Sequence, residues 1–165
     1  MALLSGYKFE HLQWSFPIAV TLHNLEEAVW LPAWAAAHAS VLPWQPSPGR
    51  FRIMAAGLTL AAYGITWLSL KAGLRSFWTY LFVAYTFAMF LNILVPHLAG
   101  TIVFRSYTPG VVSAVLINLP ITTVLLVRVL QERIVHTWAV ATLVFGVPLI
   151  VAGVVGILFA VRLSA

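Results

Sequence analysis

Five stretches of the chain are almost continuously apolar, and polar residues gather between them. They run Trp14–Ala37, Ile53–Leu70, Phe77–Gly100, Gly110–Leu130 and Trp138–Val161. Each approaches the roughly 20 residues that a helix needs to cross a bilayer. The connections carry the turn residues expected of them. "HASVLPWQPSPGRFR" holds Pro43, Pro46, Pro48 and Gly49, which mark a turn or interfacial loop. "KAGLRS" is short enough to force the second and third segments into an antiparallel hairpin. In "RSYTPG", Thr108 can cap the fourth helix and Pro109 suits its first position. The pattern predicts an all-α integral membrane bundle of about five transmembrane helices, with residues 1–165 as a single transmembrane domain.

Composition supports that class. Hydrophobic residues make up 62% and charged residues 8%, whereas soluble domains carry roughly 25% charged residues. The net charge of +5 is scattered through the connections, which suits anionic lipid headgroups and excludes a nucleic-acid surface. Lys8, Lys71, Arg75, Arg128 and Arg133 fall on one side, against Arg50, Arg52, Arg105 and Arg162 on the other. That balance slightly favours a cytoplasmic N-terminus. The expected location is the bacterial cytoplasmic membrane, with the first segment retained because signal-peptide features are missing. Trp14, Trp44, Trp78 and Trp138 sit near predicted ends, as interfacial aromatics do. The absence of cysteine excludes disulfides and thiolate metal ligands. In the last segment Ala152, Gly156 and Ala160 form a small-residue face. It serves a bundle contact or the seam of a homo-oligomer.

One stretch breaks the apolar pattern. "TLHNLEEAVW" places His23, Glu26 and Glu27 within about one turn, on one side of the first helix. A charged carboxylate near mid-bilayer costs about 2.5–3.5 kcal/mol on insertion scales, so two of them need a proton, a cation or a metal. Lys and Arg are nearly absent from the span cores. His97 is the other histidine within a predicted span. Beside it, Pro96 cannot donate to the Asn92 carbonyl, so the helix should distort there and turn polar atoms inward. His11, His38 and His136 fall near span ends, although His38 could reach the site from above.

Two imidazoles with carboxylates form a ligand set for zinc. The spacing H-x-x-E-E is similar to the H-x-x-E-H of inverzincins, in which residues i and i+4 bind metal and the acid between is the base. On that scheme His23, Glu27 and His97 hold the metal and Glu26 is the catalytic base. The open position holds a water acidic enough to attack an ester or amide. Zinc is favoured over non-haem iron, which also accepts two histidines and a carboxylate. Asn92 and Tyr107 are expected to support the site.

"HNLEE", the N-x-x-x-x-H from Asn92 to His97, and the Y-x-P-G from Tyr107 to Gly110 together resemble the small membrane proteins named for their HXXEE motif. The resemblance runs from the first helix to the start of the fourth. It implies a polytopic membrane protein and marks His23, Glu26, Glu27, Asn92 and His97, but implies no reaction. A Glu-Glu pair with a histidine on another helix is also similar to intramembrane CAAX-type proteases. Leu31 stands where their motif has arginine, and Ile93 where it has phenylalanine.

The expected function is a membrane-embedded metal-dependent enzyme, a hydrolase acting on a lipophilic small molecule. One alternative is a metal-free acid–base isomerase or cyclase of an isoprenoid-like lipid, with a glutamic acid as proton donor. Another is a proton-coupled transporter that relays protons through the acids.

Overall fold

The computed structural model describes residues 7–42, 45, 47–136, 138, 139, 142 and 146. Its described elements are all helical. A single turn, α1 (Phe9–Leu12), precedes the long α2 (Ser15–Ala37) and α3 (Pro48–Ala72). Next, α4 (Phe77–Asn92) runs through a π-helical turn, Ile93–Leu98, into α5 (Ala99–Phe104). After a polar loop, α6 (Val111–Ser113) passes through a second π-helical turn, Ala114–Asn118, into α7 (Leu119–Gln131).

Three helices are long and apolar enough to cross a membrane, as fits a membrane protein: Pro48–Ala72, Phe77–Phe104 and Val111–Gln131. The helix α2 has 23 residues, about 35 Å at 1.5 Å per residue. Its polar cluster makes it less apolar than those three. Of the expected fifth span, only Trp138, Ala139, Thr142 and Gly146 are described. Trp44, Ala152, Gly156, Ala160 and Arg162 lie outside the described residues.

Two boundaries differ from expectation for identifiable reasons. α3 starts at Pro48, earlier than expected, because Ser47 caps it by accepting from the Arg50 amide at 3.4 Å. Proline is tolerated at a helix start, where its missing N–H has no partner to lose. Thr108 does not cap the helix that begins at Val111. Gly110, at φ +90°, precedes that helix, while the Thr108 hydroxyl donates to the His97 carbonyl at 3.0 Å.

The Pro96 distortion is present. Val95 leaves helical geometry at φ −136°, ψ 118°, and the Val95–Pro96 peptide is cis. Away from the polar cluster, Phe9, Phe16, Phe82, Leu125 and Val129 form the apolar core. Phe82 meets Phe9 and Phe16 edge-on at centroid distances of 5.7 and 5.2 Å. Glu132, just after α7, ties that helix to α1 by accepting from the Phe9 amide at 3.0 Å. This core fixes α2 against α4 and α7, and so sets which faces of those helices meet at the cluster.

Candidate functional site

His23 and Glu27 are one turn apart on α2, and His97 reaches them from the π-helical turn after α4. The two Nε2 atoms lie 3.2 Å apart. Glu27 Oε2 is 3.8 Å from His23 Nε2, and Oε1 is 3.6 Å from His97 Nε2. One ligand atom from each of the three residues lies within 4.8 Å of the others. Zinc–nitrogen bonds of about 2.0–2.1 Å place tetrahedral ligand atoms roughly 3–4 Å apart. The set can therefore hold a small divalent cation. Both rings are buried, at 1% and 2% exposure, whereas Glu27 retains 17%. Access to the set is on the glutamate side.

Helix distortion supplies the aim. In an unbroken helix Asn92 and His97, five apart, would diverge by well over a quarter turn. Across the Pro96 kink they converge. Asn92 Nδ2 lies 3.0 Å from His97 Nε2 and 3.2 Å from His23 Nε2. An amide N–H2 offers two protons, so Asn92 can donate to both rings at once. The Pro109 carbonyl also hydrogen-bonds the His97 ring.

Glu26 faces a different partner. Its Oε1 accepts from the Tyr107 hydroxyl at 2.7 Å, the Gly110 amide at 3.0 Å and the Val112 amide at 3.4 Å. Its Oε2 accepts from the Ser113 amide at 2.8 Å and the Ser113 hydroxyl at 2.5 Å. These amides open the Val111–Gln131 helix and lack intrahelical acceptors, so a carboxylate there satisfies them and complements the helix dipole. Acting only as an acceptor is the bonding pattern of an ionised carboxylate. Glu26 is the side chain that caps this helix.

Gly110 closes the arrangement from above. A Cβ built there would lie 2.5 Å from His97 Cε1 and 3.0 Å from both Glu27 Cγ and His23 Cε1. Its φ of +90° is also one that L side chains rarely adopt. The loop backbone thus packs directly on the two rings, with Thr108 holding it to His97 and to Thr101 Oγ1 at 2.7 Å. Tyr107 contributes its hydroxyl to Glu26. Partial burial, then the Glu26 hydrogen bond and charge, push that phenol up to about 12.

All six residues singled out in the sequence fall in this network, although they divide into two groups. His23, Glu27, His97 and Asn92 converge on one point, while Glu26 and Tyr107 meet over the start of α6. His38 stays outside. Its Nδ1 bonds the Trp34 carbonyl at 2.8 Å, and its ring stacks on Trp34 at 4.3 Å. Sequence reasoning missed Ser113, whose Oγ lies 3.1 Å from His23 Nδ1. A serine among valines at the start of a span carries no spacing signal.

Residues 14–125 match the model of a family described as "Protein of unknown function with HXXEE motif". The chain is also 28% identical over 138 residues to "Uncharacterized protein YrkK" of Bacillus subtilis (strain 168). That match covers 82% of this chain and 86% of the relative. No solved structure matches it.

Proposed function

The chain belongs to the HXXEE-motif family, and from its geometry we propose a membrane-embedded metalloenzyme whose centre is His23, Glu27 and His97. The observation that carries this reading is the convergence of two imidazole nitrogens and a carboxylate within 4.8 Å. Two Nε2 atoms 3.2 Å apart need a proton of one ring, a shared donor or a cation between them, and a cation satisfies both lone pairs and the carboxylate together. Zinc suits the donor set better than iron, since a small tetrahedral site matches the spacing. A metal here would lower the pKa of a bound water to about 7 and polarise a carbonyl. The proposed reaction is hydrolysis of an ester or amide in a lipophilic molecule that enters from the bilayer on the Glu27 side.

Glu26 takes a supporting role in this reading. Accepting a proton from water would require it to release the donors that seat the Tyr107–Ser113 segment. Glu27, which faces both imidazoles, is the carboxylate placed to share the centre with them. The proposed membrane arrangement has five spans in a single domain, adding α2 and the Trp138–Val161 segment to the three described. The bacterial cytoplasmic membrane is the proposed location.

One observation favours a second reading. Asn92 can satisfy both Nε2 atoms without an ion, which leaves Glu27 beside two neutral rings. A metal-free acid–base enzyme acting on an isoprenoid-like lipid would look the same. Elemental analysis of protein purified in mild detergent separates the two. One zinc per chain, lost in His97→Ala, supports the metal centre. Metal-free protein that retains none after incubation with zinc would sink it.

A further inference from the structure

We infer that Ser113 is a positioning residue, which together with Asn92 sets the tautomer of His23 and links that ring to the charge of Glu26. The inference rests on the proposed metal centre for its function, but its hydrogen-bond logic stands on geometry alone. A serine hydroxyl has one proton to give. Glu26 Oε2 lies 2.5 Å from Ser113 Oγ and already accepts the Ser113 amide at 2.8 Å. With three backbone N–H groups aimed at the carboxylate, that short contact is a hydroxyl donating to an anion. Such charge-assisted O–H···O⁻ bonds are about 2.5–2.7 Å long. The other nearby acceptor, the Gly110 carbonyl at 3.2 Å, would consume the same proton.

Either way, the serine proton is not available to His23. Nδ1 of His23, 3.1 Å from Ser113 Oγ, must therefore be the donor in that contact. A neutral imidazole carries one N–H, so Nε2 is left as a bare lone pair. Nε2 is the atom that faces Glu27, His97 and Asn92. The chain carboxylate–hydroxyl–imidazole does for His23 what a direct carboxylate partner does for many metal-bound histidines: it fixes the ring and raises its basicity. The π-helical turn beginning at Ala114 directly follows this serine. Such turns recur at functional sites because they re-aim side chains.

The test uses full-length protein in detergent, labelled with ¹⁵N-histidine and stripped of metal. At neutral pH the His23 ring should carry its proton on Nδ1. In Ser113→Ala the Nε2–H tautomer should gain population against Asn92, whose Nδ2 3.2 Å from Nε2 still favours Nδ1–H, and zinc affinity, measured by chelator competition, should fall on the order of 10–100-fold, as for other outer partners of metal ligands. Ser113→Thr keeps the hydroxyl and should restore both. An unchanged Nδ1–H tautomer with unchanged zinc affinity in Ser113→Ala overturns the inference. Should that variant not fold, Ser113→Thr decides: a wild-type tautomer supports the role, and its loss refutes it. If the wild type binds no zinc, the metal reading fails, while the tautomer measurement still tests Ser113.

Discussion

His23 and His97, 74 residues apart in the chain, meet edge-on with their Nε2 atoms 3.2 Å from each other. Two rings so placed share whatever lies between them. Each histidine is therefore expected to be indispensable: His23→Ala and His97→Ala should both bring zinc stoichiometry from one per chain to none, with helix content retained by circular dichroism. Full metal occupancy in either variant would separate the rings functionally and count against a shared centre.

The adjacent glutamates should behave differently. Glu27→Gln removes the carboxylate that faces both rings, so zinc affinity should fall by more than the roughly 10–100-fold governed by outer partners. Glu26→Gln leaves the three ligands in place but turns an N–H2 group toward donors. Each donor left unmatched costs about 1–3 kcal/mol. Thermal unfolding should shift strongly for Glu26→Gln while zinc remains bound. Equal metal loss in both variants would refute the division.

Gly110→Ala should be among the most damaging single-methyl additions in the chain. The added Cβ meets His97 Cε1 at 2.5 Å and is forced onto a backbone with φ of +90°. Backbone strain alone is on the order of 1–3 kcal/mol, and the displaced ring adds to it. Gly57→Ala, whose Cβ would meet nothing within 4 Å, is the matched control and should be neutral or slightly stabilising. Equal melting temperatures for the two variants would contradict the packing of the loop on the rings.

Tyr107 offers a pH signature. Its phenol is pushed up to about 12, and the ordinary value is about 10. A folded state that holds the proton more tightly than the unfolded chain is favoured fully below pH 10. It loses that contribution as pH rises through about 12. Stability of the wild type should therefore fall more steeply between pH 10 and 12 than stability of Tyr107→Phe. Parallel profiles would show that the hydroxyl does not bond Glu26.

Asn118 is 1% exposed, and among the described residues neither amide atom has a hydrogen-bond partner. Exchanging such an amide for an apolar group of similar shape removes a desolvation penalty of about 1–3 kcal/mol. Asn118→Leu is expected to raise the unfolding midpoint. A lowered midpoint would mean that the amide bonds an internal water.

The segments that periodicity can register were readable from the sequence. The long apolar runs became α3, α4 with α5, and α6 with α7, and Pro96 marked the kink. His23, Glu26 and Glu27 were conspicuous because they interrupt an otherwise apolar run. Which glutamate faces which partner was not readable, because it depends on where the Tyr107–Gly110 loop lands relative to α2. Thr108 and Pro109 carry a local helix-start signal, and a distant carboxylate overrides it by capping the Gly110, Val112 and Ser113 amides. Ser113 has no local signature at all. Its meaning comes from residues 87 and 90 positions away.

The capping of α6 by Glu26 also orders events during synthesis. All five donors to that carboxylate come from residues 107–113, which lie 81–87 positions downstream. At about 5–20 residues per second, the ribosome needs roughly 4–17 s to make them after Glu26. Until then Glu26 has none of the donors that hold it in the folded chain. An early helix is thus completed by a late loop, and the Glu26 contacts can form only once residues 107–113 have been made.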